Sequence, residues 1–170
     1  MMQSIYKQSG IGLIEVLIAV VVLSVGFLAA AKMQIQGMRY SQSAYFLSQG
    51  NFMLRDMTDR MRGNRQGVLD GHYNNVSTNG STTQPGCINT AEQCSPQQLA
   101  LADLHAWSQY LYEPKNATDF KPLLPSTDSI TARGDIDFDA VSNVYNISVT
   151  WAEQSDEGIA ARTLNVQLTP

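Results

Sequence analysis

A single ionisable side chain, Glu15, lies within an apolar run over residues 11–31. About 21 residues at 1.5 Å per residue span roughly 30 Å, the thickness of a bilayer core. The run is therefore expected to be a transmembrane helix. A carboxylate at mid-bilayer would cost about 2–3 kcal/mol, so its presence in this run requires a chemical reason.

Three explanations of the run are open on these grounds. A cleaved secretory signal would account for the small residues at 29–31, but its apolar region is ordinarily only about 7–15 residues long. A plain membrane anchor leaves Glu15 unexplained, whereas a processed signal that uses Glu15 gives the carboxylate a function. Lys7 lies before the run and Lys32 and Arg39 follow it, so the flanking charges do not settle its orientation.

The two cysteines, Cys87 and Cys94, could form a disulfide or contribute to a metal site. A metal site needs more ligands, and His72 and His105 have no ligand spacing to each other or to the cysteines. A disulfide that closes a short loop is the favoured interpretation, and no metal is expected. Such a bond requires an oxidising compartment, such as a periplasm.

Three alternating carboxylates, Asp135, Asp137 and Asp139, have a spacing that calcium sites also use. They lack the glycine and the later bidentate glutamate of an EF-hand loop, and alternation also suits the solvent face of a strand. No nucleophile-elbow, phosphate-loop or metalloprotease motif occurs in the chain. The sequence therefore predicts no catalytic residues and no cofactor, and it favours a protein that is not an enzyme.

Charge is separated along the chain. Residues 32–65 contain six basic and two acidic residues, a net charge of +4, whereas residues 66–170 contain four basic and twelve acidic residues, a net charge of −8. Nucleic-acid binding depends on lysine and arginine to neutralise phosphates. An acidic head is therefore not expected to bind nucleic acid.

The apolar run is predicted to continue as a long amphipathic helix. No proline occurs over residues 11–63, and a later apolar stripe recurs with helical spacing at Phe46, Gly50, Met53, Met57 and Met61. Gly63 is a plausible end, because glycine is favoured just after a helix. The pattern predicts one helix of about 50 residues, roughly 75–80 Å long.

The next segment alternates between loop and helix. Residues 63–86 are rich in glycine, asparagine, serine and threonine, which predicts a loop. Ser95, Pro96 and Gln98 then have the types and spacing of a capped helix start. An apolar face should follow on this helix, formed by Leu101, Leu104, Trp107 and Leu111.

The last third of the chain predicts a small antiparallel sheet. Apolar and polar residues alternate over 145–151 and 164–168, with a turn at 154–158 between them. Ile136 and Phe138 indicate a third strand. The sheet needs a cover for its apolar face, and the amphipathic half of the long helix can supply it. The predicted fold class is α+β, with a long N-terminal helix on a small antiparallel sheet.

Residues 7–17 closely resemble the processing site of type IV prepilins. In that family a short leader ends in glycine, cleavage follows it, and the fifth residue of the mature chain is glutamate. The resemblance implies cleavage after Gly10, a new terminus at Ile11, and a role for Glu15 in assembly. The sequence has Ile11 where the family usually has phenylalanine, and Gly12 where threonine or serine is frequent. Cleavage is still expected, and Ile11 is a candidate for N-methylation.

Looser patterns at residues 24–26, 94–107 and 149–151 resemble minor pilins of the PilV kind. Pseudopilins of the type II secretion system, of the I and J kinds, are similar too. The alternatives are therefore a pilus subunit with roles in adhesion and twitching motility, a secretion pseudopilin, and an adhesin module tethered by an anchor. None of these three alternatives is an enzyme.

The resemblance implies a domain organisation and a set of partners. Residues 1–10 would be the leader, 11–31 the transmembrane and filament-core helix, 32–63 the amphipathic half of that helix, and 64–170 a periplasmic head. The expected partners are other pilin and minor pilin subunits, the prepilin peptidase and methyltransferase, and the inner-membrane assembly platform. The protein would be a single-pass inner-membrane protein that later enters a filament at the cell surface.

Overall fold

The computed structural model describes residues 12–78, 82–89, 93–112, 119–155 and 158–170. Its first element is helix α1, Leu13–Gly63, which has 51 residues. The chain forms two compact units, Met1–Gln42 and Ser43–Pro170. Helix α1 confirms the long helix predicted from the absence of proline, and it ends at the predicted glycine.

Within the second unit, α1 buries one face. Gly50, Met53, Met57 and Met61 are buried, and Phe46 is partly buried against the same core. This face is the predicted apolar stripe, and the prediction is confirmed. Arg60 and Arg62 lie in the last turn, where positive charge favours the helix end.

The predicted loop after α1 contains two short elements that the sequence analysis missed. Helix α2, Arg65–Leu69, starts at Asn64, whose side chain accepts a hydrogen bond from the Gly67 N–H. Strand β1, Val76–Ser77, pairs with a distant strand. The loop prediction was wrong at these places because asparagine also caps helices, and because a two-residue strand is defined by its partner.

Three further strands complete one antiparallel sheet: β2, Arg133–Asp139; β3, Val144–Ser155; and β4, Gly158–Leu168. The order is β1-β2-β3-β4, so each strand lies beside its neighbour in sequence. The three predicted strands and the α+β class are confirmed. The strands β3 and β4 extend into the predicted turn at 154–158, because their pairing continues to Ser155 opposite Gly158.

Helix α3, Pro96–Ser108, has the predicted capping box, in which Ser95 and Gln98 bond reciprocally. Its apolar face differs from the prediction in two places. Leu101 is half exposed, and Leu111 is buried but lies beyond the end of the helix. The error at Leu111 follows from extending a helical period into a turn.

The core lies between the helices and one face of the sheet. From α3, the Trp107 ring lies over Gly134 of β2, and its Nε1 donates to the Met53 carbonyl of α1 at 3.1 Å. From α1, Gly50 lies against Trp151 and Leu164 of β3 and β4. Both helices therefore cover the same face of the sheet.

Candidate functional site

The first part of α1 has an apolar surface that no other described residue covers. Large side chains from Leu13 to Leu28 are more than half exposed, in every direction around the helix. Among the described residues, α1 is the helix that is long and apolar enough to cross a membrane, judged by length and composition. Exposed apolar surface of this extent marks a lipid or protein contact.

Glu15 lies in the first turn of this helix, and its side chain is exposed. The Glu15 N–H bonds to the Gly12 carbonyl at 2.9 Å, so the helix starts beside Gly12. The N-terminal end of a helix carries partial positive charge, which favours a carboxylate there. The predicted cleavage site at Gly10 and Ile11 lies outside the described residues.

A second polar side chain in the apolar segment satisfies itself locally. The Ser24 hydroxyl donates to the Val21 carbonyl at 2.8 Å. Such a bond lets a serine lie in an apolar surrounding without a free donor. Glu15 differs, because an ionised carboxylate only accepts hydrogen bonds and cannot bond to a carbonyl of its own helix. The donors that the first turn offers it are the free backbone N–H groups.

Cys87 and Cys94 form a disulfide, with an S–S distance of 2.02 Å and a Cα–Cα distance of 5.3 Å. The disulfide predicted from the sequence is confirmed. Cys87 lies in a short 3-10 helix, Gly86–Asn89, and Cys94 directly precedes the Ser95 cap of α3. The bond therefore closes a loop at the start of α3.

A buried polar cluster joins α1, α3 and the segment after α2. Tyr73 donates to the Asp103 carboxylate at 2.6 Å, and the Asn64 amide donates to the Tyr73 hydroxyl at 3.0 Å. The Arg60 guanidinium lies 3.5 Å from the same carboxylate. Burial raises the pKa of Asp103, against the opposing effects of Tyr73 and Arg60. Burial also raises the pKa of Tyr73, and the Asp103 hydrogen bond raises it further.

The sequence analysis missed this cluster, although one signal was present. Asp103 lies three residues after Ala100 and four residues before Trp107, so it falls on the buried face of α3. A carboxylate on a buried face needs partners. Finding those partners required the fold, because Tyr73 and Arg60 come from other segments.

The carboxylates of β2 serve local contacts. Asp135 accepts from Ser77 at 2.5 Å and from Arg133 at 2.9 Å. Asp139 accepts from the Ser142 hydroxyl at 2.6 Å and from the Val141 N–H at 2.9 Å, which lowers its pKa. Asp137 is exposed. These contacts fit the strand face that the alternation suggested, and Asp139 also bonds to the turn that follows β2.

Each of the two histidines lies close to an oxygen atom of another residue. His105 Nδ1 is 2.9 Å from the Thr82 carbonyl, which ties α3 to the segment before it. His72 Nε2 is 4.0 Å from an Asp70 carboxylate oxygen. Over the described ranges, no three of the His, Cys, Asp and Glu side chains lie where they could hold a metal ion together.

The described residues combine a helix of membrane-spanning length, whose apolar surface is exposed and whose first turn carries one carboxylate, with a disulfide-bonded head in a pilin-like α+β fold. Two family models match consecutive parts of the chain. The prokaryotic N-terminal methylation motif matches residues 5–31, and the type IV pilin Tt1218 family matches residues 32–105. No curated protein and no solved structure matches the chain significantly. These two matches support a pilin-like assignment over residues 5–105.

Proposed function

We propose that this chain is a minor pilin, of the PilV kind, that takes part in assembly of the type IV pilus and thereby in adhesion and twitching motility. The observation that carries the proposal is the uncovered apolar helix with a single carboxylate in its first turn. Lipid would cover that surface before assembly, and helices of other subunits would cover it in a filament. The pilin family match over residues 32–105 supports the proposal that the chain enters a filament.

Maturation would begin with cleavage after Gly10 by the prepilin peptidase. The same enzyme would methylate the new amine of Ile11. The match to the N-terminal methylation motif over residues 5–31 includes both residues and supports this step. The cleavage leaves Glu15 as the fifth residue of the mature chain.

The protein would start as a single-pass inner-membrane protein with its head in the periplasm. The Cys87–Cys94 disulfide supports this orientation, because disulfides persist in oxidising compartments. The inner-membrane assembly platform would then move the subunit into the filament, where its neighbours are other pilins and minor pilins. Its later location would be the pilus at the cell surface.

Glu15 would act in assembly by pairing with an amine. After cleavage, the Ile11 amine is a cation beside an apolar helix, and it would be poorly solvated in a filament core. Glu15 of a neighbouring subunit can neutralise it there, and the pair would define the axial register. Removing one partner of a buried ion pair leaves a charge that costs about 3–5 kcal/mol, so the loss should block incorporation.

Mass spectrometry of the mature protein tests the first step. The expected N-terminus is Ile11, with or without one added methyl group. A chain that starts at Met1, or one that starts after residue 31, would remove the prepilin assignment. The second outcome would establish a secretory signal instead.

A pair of single variants tests the role of Glu15. Glu15→Ala should insert in the membrane but be nearly absent from sheared filaments, whereas Val16→Ala, one residue along the same helix, should be incorporated normally. Immunoblots of the membrane and filament fractions measure both. Normal incorporation of Glu15→Ala would contradict the pairing mechanism. Loss of protein secretion with intact pili, on deletion of the whole chain, would favour a secretion pseudopilin.

A further inference from the structure

Strand β4 is an open edge of the sheet. It pairs with β3 along eleven consecutive residues, from Gly158 to Leu168. In the part of the chain that the structure describes, no strand lies on its other side. An edge strand of this length presents a row of unpaired backbone donors and acceptors.

Hydrogen bonds elsewhere in the sheet determine which backbone groups of β4 point outward. The N–H and C=O of Gly134 both bond to Thr78, on the β1 side of β2. Gly134 lies opposite Val149, and Val149 lies opposite Leu164. In an antiparallel sheet a residue bonds to one neighbouring strand only, so Val149 bonds to Leu164.

The same alternation extends along the whole of β4. Even-numbered residues bond to β3, and odd-numbered residues direct their N–H and C=O groups away from it. The residues with outward backbone groups are Ile159, Ala161, Thr163, Asn165 and Gln167. All five are exposed.

This edge has few of the features with which proteins ordinarily protect an edge strand. Those features are proline, a bulge, charged side chains or a very short strand. The β4 sequence contains no proline and one charge, Arg162, and its register with β3 is unbroken. The opposite edge of the sheet differs, because β1 has only two residues.

We propose that β4 pairs with β4 of a second copy of this chain, antiparallel, about a two-fold axis through Thr163. The five outward residues are symmetric about that position. Thr163 then lies opposite Thr163 of the second copy, Ala161 opposite Asn165, and Ile159 opposite Gln167. Each facing pair forms two backbone hydrogen bonds, about ten in all.

The side chains of β4 are compatible with this pairing. Arg162 falls opposite Leu164 of the second copy, so the two arginines do not face each other. Threonine opposite threonine is a favourable cross-strand pair. The two-residue β1 cannot receive a strand of eleven residues, so the contact joins the same surface of both copies. Such a contact closes as a dimer and does not extend into a fibre.

The contact area indicates that this dimer is weak. Eleven residues at about 3.4 Å each, across a sheet about 10 Å thick, give a contact of about 370 Å² per copy. Stable interfaces bury about 800 Å² per partner. Covalent trapping is therefore the suitable measurement, and the inference does not depend on the role in a filament.

Single cysteine variants of the full-length protein test the register in detergent micelles. A hydrogen-bonded antiparallel pair has Cα atoms about 5.5 Å apart, within the range of a disulfide. Thr163→Cys should therefore form a disulfide-linked dimer under mild oxidation. Val141→Cys is the control for random collision, because Val141 is 98% exposed at the β2–β3 turn.

The neighbouring positions make the test specific to this register. Ala161→Cys and Asn165→Cys should each link poorly alone, because each position lies about 14 Å along the strand from its own copy. A mixture of these two variants should link several times faster than either one. Peptide mapping separates these links from exchange with the Cys87–Cys94 bond.

The outcomes of this experiment are distinct. Preferential linking of Thr163→Cys, together with linking of the mixed pair, is the expected result. Linking of Thr163→Cys no faster than that of Val141→Cys would overturn the proposal. Equal linking at all positions, or a linked product whose mass includes another protein, would overturn it as well.

Discussion

Replacing Gly134 with alanine should destabilise the head, because the Trp107 ring occupies the space of the new methyl group. A Cβ atom at Gly134 would lie 2.3, 2.5 and 2.7 Å from three atoms of that ring. Carbon atoms in contact are ordinarily about 3.5–4.0 Å apart, so the ring must move by roughly 1 Å. Trp107 is fully buried, which leaves it little room to move.

The expected loss of stability combines two destabilising effects with one smaller stabilising effect. Overpacking a core costs about 1–3 kcal/mol. Moving the ring also weakens the 3.1 Å bond from Trp107 to the Met53 carbonyl, and unsatisfied buried groups cost about 1–3 kcal/mol. Gly→Ala lowers the entropy of the unfolded chain and returns about 0.4–1 kcal/mol. The expected net loss is about 1–5 kcal/mol.

Urea unfolding of the full-length protein in detergent, followed by tryptophan fluorescence, measures this loss. Both tryptophans, Trp107 and Trp151, are fully buried, so the signal reports on the core. With a slope of about 2 kcal/mol per molar urea, the midpoint should fall by about 0.5–2.5 M. Gly86→Ala is the matched control, since a Cβ atom added at Gly86 would meet no other atom within 4 Å. The control should stay within about 0.5 kcal/mol of the wild type.

A double-mutant cycle separates the steric clash from a backbone effect. Trp107→Phe removes the ring atoms that meet the new methyl group, so Gly134→Ala should cost less in that background than in the wild type. Additive effects would show that Trp107 is not the source of the loss. A single Gly134→Ala variant as stable as the wild type would refute the packing argument altogether.

Three further predictions concern the disulfide, the buried cluster and one tyrosine. Replacing Cys87 and Cys94 together by serine should lower the free energy of unfolding by about 2–3 kcal/mol. Dithiothreitol should then have no further effect on chemical unfolding. An unchanged urea midpoint in the double variant would contradict this prediction. Because burial raises the folded-state pKa of Asp103, its contribution to stability is present below its unfolded pKa of about 3.9 and is lost as the pH rises through the raised value. The stability of the wild type relative to Asp103→Asn should therefore decrease as the pH rises from about 4. Urea midpoints in a pH series measure this difference in stability. A difference that stays constant or increases with pH would contradict the prediction. Tyr145→Phe should cost about 0.5–1.5 kcal/mol, because it removes the hydrogen bond that the hydroxyl donates to the Val68 carbonyl at 2.8 Å, while that carbonyl still accepts from the Gly71 N–H at 3.1 Å. Thermal unfolding of the two proteins at one pH measures the loss, and an unchanged midpoint would contradict it.

The sequence alone determined the features that depend on local pattern. The apolar run, the lack of proline and the apolar stripe were enough to predict α1 and its buried face, because helical period and length are local properties. Ser95, Pro96 and Gln98 predicted the start of α3 for the same reason. Glu15 could be singled out from the sequence, because a single charge in an apolar run can be recognised without knowledge of the fold. Its role in assembly stays a prediction.

Only the tertiary structure decided which distant residues meet. Strand β1 exists because β2 provides its partner, and two residues carry too little pattern to predict it. Asp103 could be recognised as unusual on a buried face, but Tyr73 and Arg60 reach it from other segments. Likewise, the need for glycine at 134 follows from the Trp107 ring, which lies 27 positions earlier in the chain. These contacts depend on the packing of helices against a sheet, and no local period encodes that packing.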